Sequence, residues 1–269
     1  MADVPEGKRI TGRTKIFFLL ADPVGHVVGT AVLNAHFERA GIDFAASPVH
    51  VRPDDLATVL AAARVTRNLA GLGITIPHKI AILPLLDEVT DRGRRVGAVN
   101  FVRRDPDGRL VGDNVDGIGF ATGLARHGVE VAGRRVVQAG AGGVGRAIAF
   151  ALAEAGAASL GIANRDAAKA AALAAAVRAA FPGCDARPAA ATARGADVAV
   201  NCTSLGMRDG DALPLDLDGI RPGAAVAEVV MTPATTPLLA EADRRGCRTV
   251  PGRVMLDEQM ALVQAFLGL

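Results

Sequence analysis

Lys79 closes the run Gly73-Ile74-Thr75-Ile76-Pro77-His78-Lys79, in a chain that takes nearly all its cations from arginine. Only four of the 30 basic residues are lysines, the others being Lys8, Lys15 and Lys169. Arginine keeps its proton at any working pH, whereas burial and neighbouring charges can bring a lysine to release one. A lysine just behind a strand and a proline is therefore a candidate acid/base. The plainer reading is a solvated lysine on a helix surface, and the rest of the chain has to decide between them.

A second segment carries different chemistry. Val136-Val137-Gln138-Ala139-Gly140-Ala141-Gly142-Gly143-Val144-Gly145-Arg146-Ala147 reads as strand, glycine turn and helix. Gly140, Gly142 and Gly145 have the spacing of a dinucleotide cradle. The first allows a tight turn, the second lets backbone approach a pyrophosphate, and the third lets helix and strand pack closely. A second strand ends at Ala163-Asn164, at the distance this motif requires. An acid after that strand takes the ribose 2′-hydroxyl of NAD, while a cation accommodates the 2′-phosphate of NADP. Here Arg165 and Lys169 favour NADP and Asp166 favours NAD, so the reading leans to NADP with NAD as the alternative.

The elements that must position these residues alternate. Strands are expected over 15–21, 44–51 and 71–76, helices from about Thr30 to Ala40 and from Pro53 to Ala61, and Pro77 fits a helix's first turn. Strands over 98–104 and 109–114 flank Asp105-Pro106-Asp107-Gly108, a hairpin turn in which Pro presets φ and Gly accepts a positive φ. A second alternating series follows: strands over 134–139, 159–163, 197–202 and 224–230. Its helices cover 143–155, an Ala-rich stretch to Phe181, and 237–245, before a terminal helix over 254–267. The expected fold is α/β, with two α/β lobes.

Half of the 269 residues are hydrophobic, Trp and Tyr are absent, and the apolar mass is Ala, Val, Leu and Ile, the composition of parallel strands under Ala-rich helices. Net charge is +2 and scattered, which argues against nucleic acid or an anionic membrane as a partner. No apolar stretch reaches a membrane span, and Met1 to Arg13 lacks the apolar core of a signal peptide. Cys184, Cys202 and Cys247 read as reduced thiols of a cytoplasmic protein. His26, His36, His50, His78 and His127 show no close ligand pairing, so no metal is expected. The lack of tyrosine also excludes the Tyr/Lys pair of short-chain dehydrogenases.

Several motifs in order resemble the shikimate dehydrogenase family. Ile74-Thr75-Ile76-Pro77-His78-Lys79 is similar to its V-T-x-P-x-K, Gly97-Ala98-Val99-Asn100 to G-A-V-N, and Gly112-Asp113-Asn114-Val115-Asp116-Gly117 to G-x-N-T-D-x. Gly140 to Ala147 resembles G-x-G-G-x-x-R-A, and Asn164-Arg165 its N-R. Asn201-Cys202-Thr203-Ser204-Leu205-Gly206-Met207 resembles N-x-[TS]-S-x-G-M, Thr236 to Leu239 T-P-L-L, and Gly252 to Gln259 G-x-x-M-L-x-x-Q.

The resemblance implies an N-terminal substrate lobe with a mainly parallel sheet, residues 1–116 completed by 246–269, a Rossmann-type nucleotide lobe over 117–245, and an active-site cleft between the two. It implies a catalytic pair, Lys79 and Asp116, with Thr75, Asn100 and Gln259 lining the substrate. Cofactor contacts would come from Gly140, Ala141, Gly142, Gly143, Val144, Asn164, Arg165, Asp166, Lys169, Thr203 and Gly252. Lys79 would take the proton of a secondary hydroxyl as hydride leaves to the nicotinamide. On its own terms, Asp116 also reads as the N-cap of a helix over 117–127. Shikimate, quinate or a related cyclic hydroxy acid is the implied substrate, and the protein a monomer or homodimer.

The chain departs from the family where the substrate carboxylate is held. His26-Val27-Val28-Gly29-Thr30 stands where the family has roughly H-S-x-S-P, so both serines are gone. Gly73 replaces an asparagine, Met231 falls where a tyrosine is expected, and Phe101 and Val115 replace threonines. A family member acting on another substrate is thus one expectation, with Thr30 or an arginine as the possible rescue of carboxylate binding. A non-catalytic NAD(P)-binding relative is the other.

Overall fold

A computed structural model describes residues 10–25 and 27–269; His26 and the polar N-terminal stretch up to residue 9, both part of the reading above, lie outside the described residues. The first lobe runs β1 (Lys15–Ala21), α1 (Gly29–Arg39), β2 (Phe44–His50), α2 (Leu56–Val65), β3 (Leu69–Ile74), α3 (His78–Ala81), β4 (Glu88–Val89), α4 (Asp91–Val96), β5 (Phe101–Arg104) and β6 (Leu110–Asp113). Then follow α5 (Asp116–Arg126), β7 (Arg135–Ala139), α6 (Gly143–Glu154), β8 (Ser159–Ala163), α7 (Ala167–Ala180), β9 (Asp185–Pro188), β10 (Val198–Asn201) and β11 (Ala225–Glu228). The chain ends with α8 (Pro237–Arg244), β12 (Arg248–Val250), α9 (Arg253–Asp257) and α10 (Met260–Leu267).

Two six-stranded sheets result. The first has the order β2-β1-β3-β5-β6-β4, and only β5 runs against the others. β1 shows why the sheet is covered on both faces. Phe17 and Leu19 join a cluster with Phe37 of α1 and Met260, Val263 and Leu267 of α10, while Leu20 joins one with Leu56 and Leu60 of α2. Alternate residues of one strand thus feed opposite layers.

The second sheet, β12-β11-β10-β7-β8-β9, is parallel throughout. Its order reverses between β7 and β10, the switch point at which open α/β sheets bind ligands. Val136 and Val200 face a core with α6 and α7; Val137, Ala199 and Val226 face one with Leu238 and Leu239 of α8.

The hairpin forms as expected, with Gly108 at φ +94 and its N–H bonded to Asp105 O. The terminal helix does not run unbroken. Gln259 N–H bonds to Leu256 O three residues back, and this tightening separates α9 from α10. Strand β12 pairs with β11, so 248–250 belongs to the second sheet, and it is the helices after it that join the first lobe. The short β4, β9, β12 and α4 were not anticipated from the sequence.

Candidate active site

Four side chains from distant stretches meet in the cleft. Lys79 comes from α3, Asp116 from the first turn of α5, Asn100 from just before β5, and Gln259 from the joint between α9 and α10. Lys79 Nζ donates to Asp116 Oδ2 at 2.5 Å. Asp116 Oδ1 accepts from Asn100 Nδ2 at 2.8 Å and from Gln259 Nε2 at 3.2 Å. The Lys79 and Asp116 side chains are only 13% and 4% exposed. Charge-assisted bonds in so dry a place are stronger than the same bonds in water.

Backbone contacts hold each member. Val115 N–H donates to Asn100 Oδ1 at 3.0 Å, which fixes the amide so that its nitrogen faces Asp116. Val99 N–H bonds Lys79 O, and Asn100 N–H bonds Asp113 O. Asp113 itself accepts from Thr90, Arg92 and the Asn114 N–H, which ties the end of β6 to the start of α4. The N-cap reading of Asp116 is corrected. Val115 holds the cap position without a side-chain bond, and the Asp116 carboxylate turns to Lys79. Its negative charge still sits at the favourable positive end of α5.

The glycine turn between β7 and α6 is shaped as a cradle. Gly140 has φ +105, and a β-carbon there would lie 2.8 Å from the backbone of Cys202. At Gly145 a β-carbon would meet Gly140 O at 2.4 Å, so helix and strand close only over glycine. No side chain caps α6, which leaves its first N–H groups facing outward for an anion. Gln138 Nε2 donates to the carbonyls of Gly140 and Gly145 from below. Asn164 Oδ1 accepts from Ala141 N–H, joining the turn to the end of β8. These features fit a dinucleotide.

A cavity of about 500 Å³ connects the two halves. Lys79, Asp116, Thr75, Asn100, Gln259, Gly142, Gly143, Val144 and Thr203 line it. Gly140 and Ala141 form the buried start of the turn, with Asn164 bonded to it from the end of β8, while Arg165, Asp166 and Lys169 just beyond are exposed. Gly252 is not itself among the lining residues but packs directly behind Val230, which is: a β-carbon on it would meet Val230 O at 2.3 Å. Ser204 and Met207, both matched positions of the Asn201–Met207 motif, also line the space, as does Val230, which no motif marks. Neither Thr30 nor any arginine is among the described lining residues.

Two buried groups bear on the cleft. Burial pushes the Cys202 thiol well up, and the Asp116 carboxylate pushes it the same way, so it stays a thiol. Glu228 accepts from the Thr236 hydroxyl and the Asn201 amide, yet burial pushes its carboxyl above the usual range against the pull of those two bonds. Among the described residues no group of three or more His, Cys, Asp or Glu could hold a metal ion, and no helix is long and apolar enough to cross a membrane.

Comparisons with known proteins agree along the chain. Residues 19–102 match the model of the shikimate dehydrogenase substrate binding domain, and residues 123–206 that of shikimate / quinate 5-dehydrogenase. The shikimate dehydrogenase (NADP(+)) of Geobacter metallireducens is 42% identical over 258 residues, covering 93% of this chain and 90% of that protein. The ligand-free 5-ketofructose reductase of a Gluconobacter strain superposes with a TM-score of 0.84 at 33% identity, over 96% of this chain and 95% of that one. Shikimate 5-dehydrogenase of Thermus thermophilus, in complex with NADP(H) and shikimate, gives 0.83 at 34% identity over 94% of each chain. With both lobes matched and such identity sustained over nearly its whole length, the chain belongs to the shikimate dehydrogenase family.

Proposed function

We propose that the protein is an NADP-dependent oxidoreductase that interconverts a secondary alcohol and its ketone, with Lys79 as acid/base. One observation carries the reading: the buried Lys79–Asp116 pair and the uncapped start of α6 line a single cavity. When bound, the nicotinamide accepts or supplies hydride.

The remaining work falls to the chain. Lys79 Nζ takes the hydroxyl proton in oxidation and returns it to the carbonyl oxygen in reduction, a contribution of about 10²–10⁴ in rate. Asp116 holds the amine in place, and Asn100 and Gln259 hold Asp116. Thr75 offers a hydroxyl to the substrate from the same wall.

The cofactor preference rests on Asp166. Its carboxylate caps α7 by accepting from the Ala168 and Lys169 N–H groups, which supports Arg165 and Lys169 as partners for a 2′-phosphate. By their names, a curated relative acts on shikimate and a structural neighbour on a ketofructose, and the reaction proposed here is common to both. Initial rates with NADP⁺ and NAD⁺ across hydroxy acids and neutral polyols test the reading. Cofactor binding without turnover of any of them counts against it.

A further inference from the structure

We infer that the cavity takes an uncharged secondary alcohol or its ketone, with an apolar face where hydroxy acids carry a carboxylate. This rests on the oxidoreductase reading and narrows its substrate class.

The charge inventory is the first support. Lys79 and Asp116 are the only charged side chains among the described lining residues, and they are paired with each other. Among the described lining residues a bound carboxylate has no second cation to meet. If it displaced Asp116 from Lys79, it would occupy the acid/base that the reacting hydroxyl needs.

The wall beside this pair is the second support. Leu19, Val27, Phe101, Met231 and Leu256 line the cavity and also belong to, or pack against, the hydrophobic cluster of the first lobe. The cavity is therefore bounded on this side by the lobe's own core. A carboxylate against such a surface loses water and gains no partner.

The third support is that the room for polar side chains has been filled. A β-carbon on Gly73 would lie 3.0 Å from Leu19 Cγ and 3.1 Å from the Phe17 ring, and one on Gly29 would lie 3.0 Å from Leu19 Cδ1. Leu19 thus covers both positions, so this part of the lining is closed by apolar packing and has no space for a polar side chain.

The reaction balances without further groups. The carbinol C–H leaves as hydride to NADP⁺, the O–H proton passes to Lys79, and the product is a neutral ketone plus NADPH.

The test uses matched pairs on the intact protein: shikimate and quinate against their methyl esters, with NADP⁺. These differ in one charge and keep the ring hydroxyls. The expected kcat/KM for the esters is about tenfold or more above that for the acids, the factor that one missing charge-assisted bond represents. Equal or faster turnover of the acids overturns the inference and leaves the oxidoreductase reading intact. Turnover of neither, by protein that still binds NADPH, overturns both. Val27→Lys, or Met231→Lys if the first folds poorly, should shift the ratio toward the acids; an unmoved ratio in a folded variant also counts against the inference.

Discussion

Gly143 stands directly against Lys79: a β-carbon on the glycine would lie 2.9 Å from Lys79 Cβ and 3.3 Å from its Cδ. The first residue of the helix that begins the cradle therefore touches the stem of the acid/base across the cleft. The lobe offering N–H groups to an anion and the lobe offering the amine are held in register by the absence of one methyl group.

Gly143→Ala separates this positional role from stability. Gly143 is the first residue of α6, where alanine gains little of its interior helix preference, and the clash is with one side chain and not with backbone, so the overpacking should cost about 1 kcal/mol and lower melting by only a few degrees. The methyl has to push the Lys79 stem aside, and a displacement near 1 Å costs up to about 10²-fold in rate. We expect kcat to fall by about 10–100-fold while the protein stays folded with a melting temperature within a few degrees of the parent. Loss of stability in step with activity would show that the contact is merely structural.

Lys79→Met should keep the apolar stem and lose the proton transfer, lowering kcat by about 10²–10⁴-fold while NADPH binding persists. Lys79→Arg keeps the charge and the pairing with Asp116 but cannot release a proton. Its activity should resemble that of the methionine variant. Recovery of more than a small fraction of the rate by arginine would mean that Lys79 acts only as a fixed charge.

The sequence showed the parts of this site and not their meeting. β1 was legible because its core is an unbroken apolar run, β7 and β8 because short Val, Leu and Ile stretches flank the glycine turn at the motif's spacing, and the cradle because its glycines have steric reasons. The edge strands β9 and β12 were not, since Asp185, Arg187 and Arg248 break any apolar pattern and the pairing comes from their neighbours. Gln259 lies 143 residues from Asp116, so only folding brings its amide to the carboxylate. The break that presents it is one i→i−3 hydrogen bond, which residue pattern does not encode. The apolar wall was legible as missing serines; that Leu19 fills the vacated room was not.

Gly119→Ala tests how α5 is seated. A β-carbon at Gly119 would lie 2.6 Å from both Gln259 Cγ and Met255 O, one of them backbone that cannot swing away. Such overpacking costs about 1–3 kcal/mol, so melting should drop by several degrees. Gln259→Ala removes one donor from Asp116 and leaves that packing alone, so it should melt close to the parent and turn over more slowly. Thermal melts and initial rates on the two variants separate packing from positioning. Equal melting of both would overturn this account of α5.

Glu228 sets a pH dependence whose sign follows from burial. Its carboxyl is raised above the ordinary value of 4.5, chiefly by burial, with Thr236 and Asn201 pulling the other way. A carboxyl raised on folding contributes stability that is full below its unfolded pKa and is lost as pH rises through the folded one. The parent should therefore lose stability from about pH 4.5 upward until Glu228 is ionised. Glu228→Gln keeps the shape, lets its amide oxygen accept from Asn201 and its nitrogen donate to Thr236 Oγ1, and removes the ionisation. The melting temperature of the variant minus that of the parent should grow more positive from pH 4 to 8. A difference that shrinks over that range would mean that Glu228 is stabilised as the anion by its two partners, and that burial is the weaker influence.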